Sequence, residues 1–213
     1  MSLTHTAVTY EPSVRGDAML LTHGRKGTAE DLLLVASALV VDGALGGHID
    51  VVGRRLLGFE RRRVVAGSEL PEAPPLMAEL RLRVQTATPD EPWGWFDRAA
   101  GFALERVTAE LDAAGVTTPL RLSNTRRMLR HDTLIVSASA EDAARERLLD
   151  ALAGRGTQSS IALGAILTRL ELLEEVVGAR CDARRLQVRT LAPAAQALLT
   201  VLADQRRREA VLA

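Results

Sequence analysis

The sequence predicts a mainly α-helical fold, in which a central helical bundle is wrapped by amphipathic helices and carries one or two small β-hairpins. Hydrophobic residues make up 47% of the chain and aromatic residues only 3%. Leucine, valine, alanine and isoleucine must therefore fill the core, a composition that suits helices packed on helices. Apolar residues also recur at helical spacing over most of the chain, and glycine or proline marks the ends of these runs.

Length and composition indicate one main domain. Residues 1–15 are expected to form an N-terminal tail and residues 16–213 a single helical domain, because 213 residues with this hydrophobic content can build a substantial core. The opening residues lack the charged start and apolar run of a signal peptide. No stretch reaches the roughly 18 consecutive apolar residues of a membrane span, so we expect a protein that does not cross a membrane.

The first predicted elements are a helix and a hairpin. Thr28 and Asp31 form a capping-box pattern, and apolar residues repeat at helical spacing until Gly46–Gly47, which predicts a helix over 28–46. After it, Ile49 and Val51 alternate with other residues as in a strand. We expect a tight turn at Gly53 and a return strand at Leu56–Leu57.

The middle of the chain is expected to be a connection followed by two helices. Arginine, glycine and proline over 61–75 indicate a surface connection, and a short helix is predicted at Leu76–Val84. Pro92 introduces a longer helix that ends at Gly115. Its buried face is predicted to comprise Phe96, Ala99, Ala103, Val107, Leu111 and Ala114.

A second hairpin and three helices complete the prediction. The β-like runs PLRLSN (119–124) and TLIVSA (133–138) bracket a basic loop. Ser139 and Asp142 resemble a capping box that opens a helix ending at Gly154. The helix over 159–177 is apolar nearly all round and is predicted to be the buried core helix. The last helix begins at Pro193.

Charge and cysteine content narrow the functional classes. The 27 basic and 27 acidic residues cancel, so no nucleic-acid partner is expected. The single cysteine, Cys181, leaves no internal disulfide and fits a reducing cytoplasm. The four histidines are scattered without a metal-binding spacing, and Ser159 and Ser160 stand at a helix start rather than in a nucleophile motif. The sequence predicts neither an enzyme nor a metal or other cofactor.

Basic clusters are the remaining candidates for a binding surface. Because arginine supplies nearly all the basic residues, a run such as Arg61–Arg63 is expected from composition alone and predicts only a solvated surface. The loop at the predicted tip of the second hairpin differs, because two apolar side chains lie among three guanidinium groups. It can pair with phosphate while inserting shallowly into an apolar layer. The candidate residues are Arg126, Arg127, Met128, Leu129 and Arg130.

Four segments occur in an order that matches a known family. They are AEDLLL at 29–34, DGALGGHIDV at 42–51, ALERVTAELDAAGV at 103–116 and SSIALGAILTRLELLEEVV at 159–177. Together they resemble the Golgi phosphoprotein 3 family, whose bacterial members have a similar length. The resemblance covers roughly residues 16 to 210.

The resemblance implies a helical core with small hairpins and a peripheral protein that binds phosphatidylinositol 4-phosphate and adapts membranes to partner proteins. The family's headgroup pocket uses a tryptophan and three arginines. These positions fall near Thr28 and at Ala36, Gly101 and Leu104, and none of these residues is tryptophan or arginine. Phosphatidylinositol 4-phosphate is therefore not expected to bind with the family's pocket geometry.

Two functions remain open. Arg106 matches a basic position of the family, and the family's exposed hydrophobic hairpin falls on 125–136 here. The first function is a non-enzymatic cytosolic interaction protein that uses this apolar and basic hairpin for self-association or for a protein partner. The alternative is a peripheral adaptor at the inner face of the membrane that binds phosphoinositide or other anionic lipid headgroups.

Overall fold

The described part of the chain consists of nine α-helices and two β-hairpins. The computed structural model describes residues 10–22, 29–56, 59–68, 70–87, 91–119 and 134–212. The elements are α1 (Val14–Thr22), α2 (Ala29–Leu45), β1 (Ile49–Leu56), β2 (Phe59–Ala66), α3 (Pro75–Thr86), α4 (Pro92–Ala100), α5 (Ala103–Ala113), β3 (Thr117–Pro119), β4 (Leu134–Val136), α6 (Ala138–Leu152), α7 (Gln158–Arg169), α8 (Leu173–Val177) and α9 (Pro193–Leu212), with short 3-10 turns at Ala183–Arg185 and Val188–Thr190. The α-helices take up more than half of the chain, which confirms the mainly α-helical prediction.

Three helices form the centre of the bundle. Helices α1, α2 and α7 pack against one another, and α2 also contacts α3, α4, α5 and α9. The helix predicted to be the core helix is buried continuously from Ser160 to Leu167 within α7. Helix α2 shares this central position, because most of its residues from Leu34 to Ala44 are also buried.

Helix α1 begins inside the stretch predicted as a tail. Val14 and Arg15 form its first turn and are buried, as are the other residues of the helix. Ser13 caps the helix, since its Oγ accepts a hydrogen bond from the backbone N–H of Gly16 at 3.2 Å. The helix thus begins two residues before position 16, where the helical domain was expected to start. The sequence pattern is weak here because the helix has only nine residues and contains a glycine.

The first hairpin is longer than predicted. Helix α2 ends at Leu45, close to the predicted end, and Gly47 adopts the left-handed conformation with φ 73°. Strand β1 then continues through Gly53, where a turn was expected, and pairs antiparallel with β2 from Ile49↔Ala66 to Leu56↔Phe59. Arg61–Arg63 therefore lie in a strand and not in a surface connection. Arginine fits there, since every second residue of a half-exposed strand faces solvent.

Two predicted helices are each divided in the structure. The helix predicted from Pro92 to Gly115 breaks at Gly101–Phe102, where Phe102 leaves the helical conformation at φ −137°. The predicted buried face is still buried, because the residues before and after the break pack into the same core. Ala114 is the exception and is only half-buried. The helix predicted over 159–177 is divided into α7 and α8, and Glu171 lies between them at φ 61°.

The second hairpin is confirmed at its base. Strands β3 and β4 pair from Thr117↔Val136 to Pro119↔Leu134. The following helix, α6, starts after Ser137, so the capping box predicted at Ser139 is wrong. The Oγ atom of Ser139 lies 2.7 Å from the Oγ of Ser137, and no side-chain cap bonds to the helix backbone. Helix α3 over 75–86 and helix α9 from Pro193 match the predictions.

Candidate interaction surface

Hairpin β1–β2 is buried at its base and carries exposed residues farther along both strands. Near the base, Ile49 and Val64 are each 1% exposed. Strand β1 contacts α2 and α9 there, and β2 contacts α3 and α4. In the next pair beyond Val64, Val52 is 45% exposed and Arg63 is exposed, and Arg61 farther along is exposed as well. At about 3.3 Å per residue, the eight-residue strands span roughly 26 Å.

The register sorts the hairpin residues onto two faces. One face begins with the pairs Ile49–Ala66 and Val51–Val64, which pack on the helices. We call the other the outer face. From base to tip, its pairs are Asp50–Val65, Val52–Arg63, Arg54–Arg61 and Leu56–Phe59.

The outer face concentrates arginine. Its register places Arg54 opposite Arg61, with Arg63 one pair nearer to the base. Like charges that stand directly opposite each other destabilise a strand pair, so folding alone does not favour this arrangement. Glu60 belongs to the other face, opposite Arg55. In this register, the positions beyond the Asp50 pair are Val52–Arg63, Arg54–Arg61 and Leu56–Phe59.

The basic loop predicted as a site lies outside the described residues. This applies to Arg126, Arg127, Met128, Leu129 and Arg130, which follow β3 and precede β4. The sixth predicted residue, Arg106, lies on α5 with a half-exposed side chain. Its Nε is 3.3 Å from Oε2 of Glu79 on α3, at 48% side-chain exposure. Of the six predicted site residues, the structure therefore describes Arg106.

A second arginine shares the partner of Arg106. Arg83 on α3 donates two hydrogen bonds to Oε1 of Glu79, at 3.0 and 2.7 Å. Its guanidinium carbon also lies 4.3 Å from the centre of the Phe102 ring, within cation–π distance. The sequence pattern did not indicate this cluster, because it depends on the break that brings Phe102 against α3. Exposed pairs of this kind contribute little to stability.

The positions of the family's headgroup pocket do not form a cationic site. Ala36 is fully buried within α2, and Gly101 is exposed between α4 and α5. Leu104, in the first turn of α5, is 38% exposed. Thr28 lies outside the described residues. The described positions thus supply an interior methyl group, a glycine and a surface leucine, none of which pairs with phosphate.

Helix α1 carries two buried charges, each of which pairs with other helices. Arg15 forms a bidentate bond to Glu110 at 2.7 and 2.6 Å and also bonds to Asp42. Asp17 accepts two bonds from Arg147 at 2.9 and 2.6 Å. The hydroxyl of Tyr10 donates to Asp17 at 3.0 Å. None of these pairs could be predicted from the sequence pattern, because the pattern did not indicate α1.

These buried groups have perturbed ionisation. Burial, together with the nearby charge of Asp17, raises the pKa of Tyr10 well above its usual value. Burial also raises the pKa of Asp42, and the opposing effect of Arg15 is smaller. For Arg15, burial lowers the pKa, but the hydrogen bonds that it donates to Glu110 and Asp42 and the charges of these carboxylates outweigh burial and keep the guanidinium charged. These ion pairs hold α1 against α2, α5 and α6, so the role of the buried charges is structural.

The remaining candidate groups add no chemistry within the described residues. No cluster of three or more His, Cys, Asp or Glu side chains there could hold a metal ion. Cys181 is half-buried, and its Sγ lies 3.3 Å from the carbonyl of Ala179. No described helix combines the length and hydropathy needed to cross a membrane.

No family model and no curated protein matches this chain. The resemblance to the Golgi phosphoprotein 3 family therefore rests on the four sequence segments alone. The outer face of the hairpin was missed at the sequence level because the turn was placed at Gly53. A signal was present in the sequence, since arginine occurs at 54–55 and again at 61–63 with Gly58 between the two groups, and glycine between two strand-like runs is typical of a hairpin.

Proposed function

We propose that this chain is a non-enzymatic interaction protein that associates with anionic membrane surfaces through the outer face of hairpin β1–β2. The observation that carries the proposal is the register, which pairs Arg54 with Arg61 and Val52 with Arg63, together with the exposure of Val52, Arg61 and Arg63. Each arginine near an anionic bilayer contributes about 1 kcal/mol of attraction. A Golgi phosphoprotein 3-like fold, inferred from sequence, would be compatible with this peripheral role.

The order of residues along the outer face favours lipid over other anions. Its last pair, Leu56–Phe59, is apolar, and the basic pairs come next toward the base. A bilayer interface offers phosphate groups above a hydrocarbon layer, so it can accept both kinds of residue in that order. Nucleic acid offers phosphate without that layer, and tight binding needs many more phosphate contacts than one small hairpin supplies.

Charge reversal at two exposed positions tests the proposal. We expect Arg61→Glu with Arg63→Glu to weaken binding to mixed phosphatidylserine–phosphatidylcholine vesicles by at least about 30-fold, because two attractions of about 1 kcal/mol are lost. Co-sedimentation measures the bound fraction. The wild-type protein should also bind less tightly as salt is added, since ions screen surface charges over about 8–10 Å.

A control variant distinguishes the effect of where the arginines lie from the effect of the protein's net charge on vesicle binding. Arg180 and Arg185 are exposed residues outside the hairpin, and reversing both changes the net charge by the same amount. We expect this variant to bind like the wild type. If the two double variants lose binding equally, the attraction depends on overall charge and not on the hairpin. If neither loses binding, the hairpin is not the contact.

The absence of cations at the family's headgroup-pocket positions leads to a prediction about which lipids are bound. Because Ala36, Gly101 and Leu104 offer no cation, we infer that the protein does not select phosphatidylinositol 4-phosphate over phosphatidylserine. Vesicles matched in total surface charge should bind the wild-type protein equally. Saturable preference for the phosphoinositide would show that arginines elsewhere have formed a headgroup pocket.

Self-association through the hairpin is the second candidate, and one observation favours it. Strands β1 and β2 each pair with a single strand among the described residues, so each has a second edge that pairs with no described strand. Light scattering in solution distinguishes the two functions. Self-association predicts a mass that is a multiple of 23.0 kDa and falls when Val52 is replaced by arginine. The membrane proposal predicts a monomer that binds vesicles.

A further inference from the structure

Two arginines from different helices converge on one carboxylate between α3 and α5. Glu79 and Arg83 are four residues apart on α3, so their side chains share a face. Nε and Nη2 of Arg83 donate to Oε1 of Glu79 at 3.0 and 2.7 Å. From α5, Nε of Arg106 lies 3.3 Å from Oε2 of the same carboxylate. One carboxylate therefore faces two guanidinium groups, and one positive charge remains unbalanced. We call Glu79, Arg83 and Arg106 the α3–α5 cluster.

The guanidinium group of Arg83 is held in a fixed orientation. Its carbon lies 4.3 Å from the centre of the Phe102 ring, and its Nε side is bonded to Glu79. Nη1 of Arg83 and both terminal nitrogens of Arg106 have no hydrogen-bond partner among the described residues. These donors are available to a ligand. Because Arg83 is already oriented, a ligand that binds it pays less conformational entropy than with a free arginine side chain.

The cluster is open to solvent and lies beside an apolar side chain. The side chains of Arg83 and Arg106 are 45% and 48% exposed. Leu82 follows Glu79 by three residues, so it lies on the same side of α3. At 57% it is the most exposed large hydrophobic side chain among the described residues. The surface thus offers a pair of cations next to an apolar contact.

The charge of the cluster indicates which anion fits. A single unbalanced positive charge matches a carboxylate, whereas a phosphomonoester carries nearly two negative charges at pH 7 and is also repelled by Glu79. The guanidinium fork can form two parallel bonds with a planar carboxylate. One unbalanced charge attracts a bilayer only weakly. Interfaces between proteins, by contrast, often depend on single well-placed arginines. These features favour an acidic protein segment over a phosphate group or a membrane.

We propose that the α3–α5 cluster, with Leu82 beside it, is a docking site for an acidic segment of a partner protein. A glutamate or aspartate of that segment pairs with Arg83 and Arg106, and an apolar side chain next to it packs on Leu82. The site lies on a different surface from hairpin β1–β2, so the proposal is independent of the membrane function.

The dipeptide N-acetyl-Glu-Leu-amide is the probe. Its titration should shift the backbone amide NMR resonances of Arg83 and Arg106 saturably, with a dissociation constant in the millimolar range. N-acetyl-Gln-Leu-amide has the same size without the charge and should bind at least about fivefold more weakly, because charge-assisted hydrogen bonds are lost. N-acetyl-phosphoserine-Leu-amide should bind no more tightly than the glutamate peptide. These comparisons use the unaltered protein, so they do not depend on whether a variant folds.

Charge-neutralising variants locate the contact. Arg83→Gln with Arg106→Gln should weaken binding of the glutamate peptide by at least about fivefold. Arg155→Gln with Arg185→Gln changes the net charge equally at exposed positions elsewhere and should leave binding unchanged.

The apolar contact has its own matched pair of variants. Leu82→Ser should weaken binding of the glutamate peptide, because it removes the apolar surface beside the arginines. Leu149→Ser, at a 46% exposed leucine on α6, should not.

Equal affinity for the glutamate and glutamine peptides, tighter binding of the phosphoserine peptide, or equal losses in the two arginine variants would overturn the proposal. So would an Arg83 and Arg106 variant that binds the peptide like the wild type but loses vesicle binding, because the cluster would then belong to a membrane-binding surface.

Discussion

Arg15 allows the internal structure to be tested quantitatively. Its side chain is 8% exposed, and that of its partner Asp42 is 12% exposed. Replacing Arg15 by methionine keeps the length of the side chain but removes the cation beside Asp42, which must then either stay charged in a buried place or take up a proton. Loss of one partner from a buried ion pair costs about 3–5 kcal/mol. Glu110 is 35% exposed and adds little, because water screens it.

We therefore expect Arg15→Met to lower the free energy of unfolding by about 3–4 kcal/mol, a large share of the roughly 5–15 kcal/mol typical of a domain. Urea unfolding can be followed by tryptophan fluorescence, since Trp95 is only 2% exposed. Adding Asp42→Leu should restore most of the loss, because it removes the stranded charge. Arg155→Met is the control, since its side chain is 71% exposed, and it should cost under about 0.5 kcal/mol. A loss below about 1 kcal/mol for Arg15→Met, or no rescue in the double variant, would show that Arg15 does not stabilise the fold through Asp42.

Three further predictions concern the backbone and pH. Gly67→Ala places a Cβ 2.1 Å from the Gly47 carbonyl oxygen, so it should destabilise the protein by about 1–3 kcal/mol in thermal unfolding. Glu171→Gly should raise the melting temperature through a gain of about 0.5–1 kcal/mol, because φ of 61° strains a non-glycine residue. Burial lowers the pKa of His48, so the unfolded chain binds a proton below pH 6.5 that the folded chain does not. Stability should therefore fall as pH decreases below 6.5, and His48→Gln should reduce that slope; an unchanged slope would contradict it.

The sequence predicted those elements whose signals are local and repeated. Helices α2, α3 and α9 were located within a few residues because apolar spacing and terminal glycine or proline agreed. The division between α4 and α5 was missed, because the apolar face continues across Gly101 and Phe102 as if the helix were unbroken. Helix α1 was missed because a helix of nine residues is too short to show a clear repeat of apolar positions. Its burial also depends on partners more than 20 positions away in the sequence.

Part of the candidate surface could be predicted from the sequence. The arginines at 54–55 and 61–63 were visible, but only the pairing register shows that Arg54 stands opposite Arg61. Moving the turn by a few residues changes which side chains share a face. Two other features depend on tertiary contacts, which the periodicity of a sequence does not show. They are the pairing of Arg106 with Glu79 and the buried Nδ1 of His48, which has no hydrogen-bond partner among the described residues.

Contact between the outer face and a membrane can be measured directly with a label at Val52. In a Cys181→Ser background, cysteine is placed either at Val52 on the hairpin or at Leu149 on α6, which have nearly equal exposures of 45% and 46%. Each variant carries a fluorophore and is exposed to a water-soluble quencher with and without phosphatidylserine-containing vesicles. Our account predicts that vesicles protect the label at position 52 and leave the label at position 149 accessible. Equal accessibility at both positions in vesicle-bound protein, or protection at position 149 alone, would contradict it.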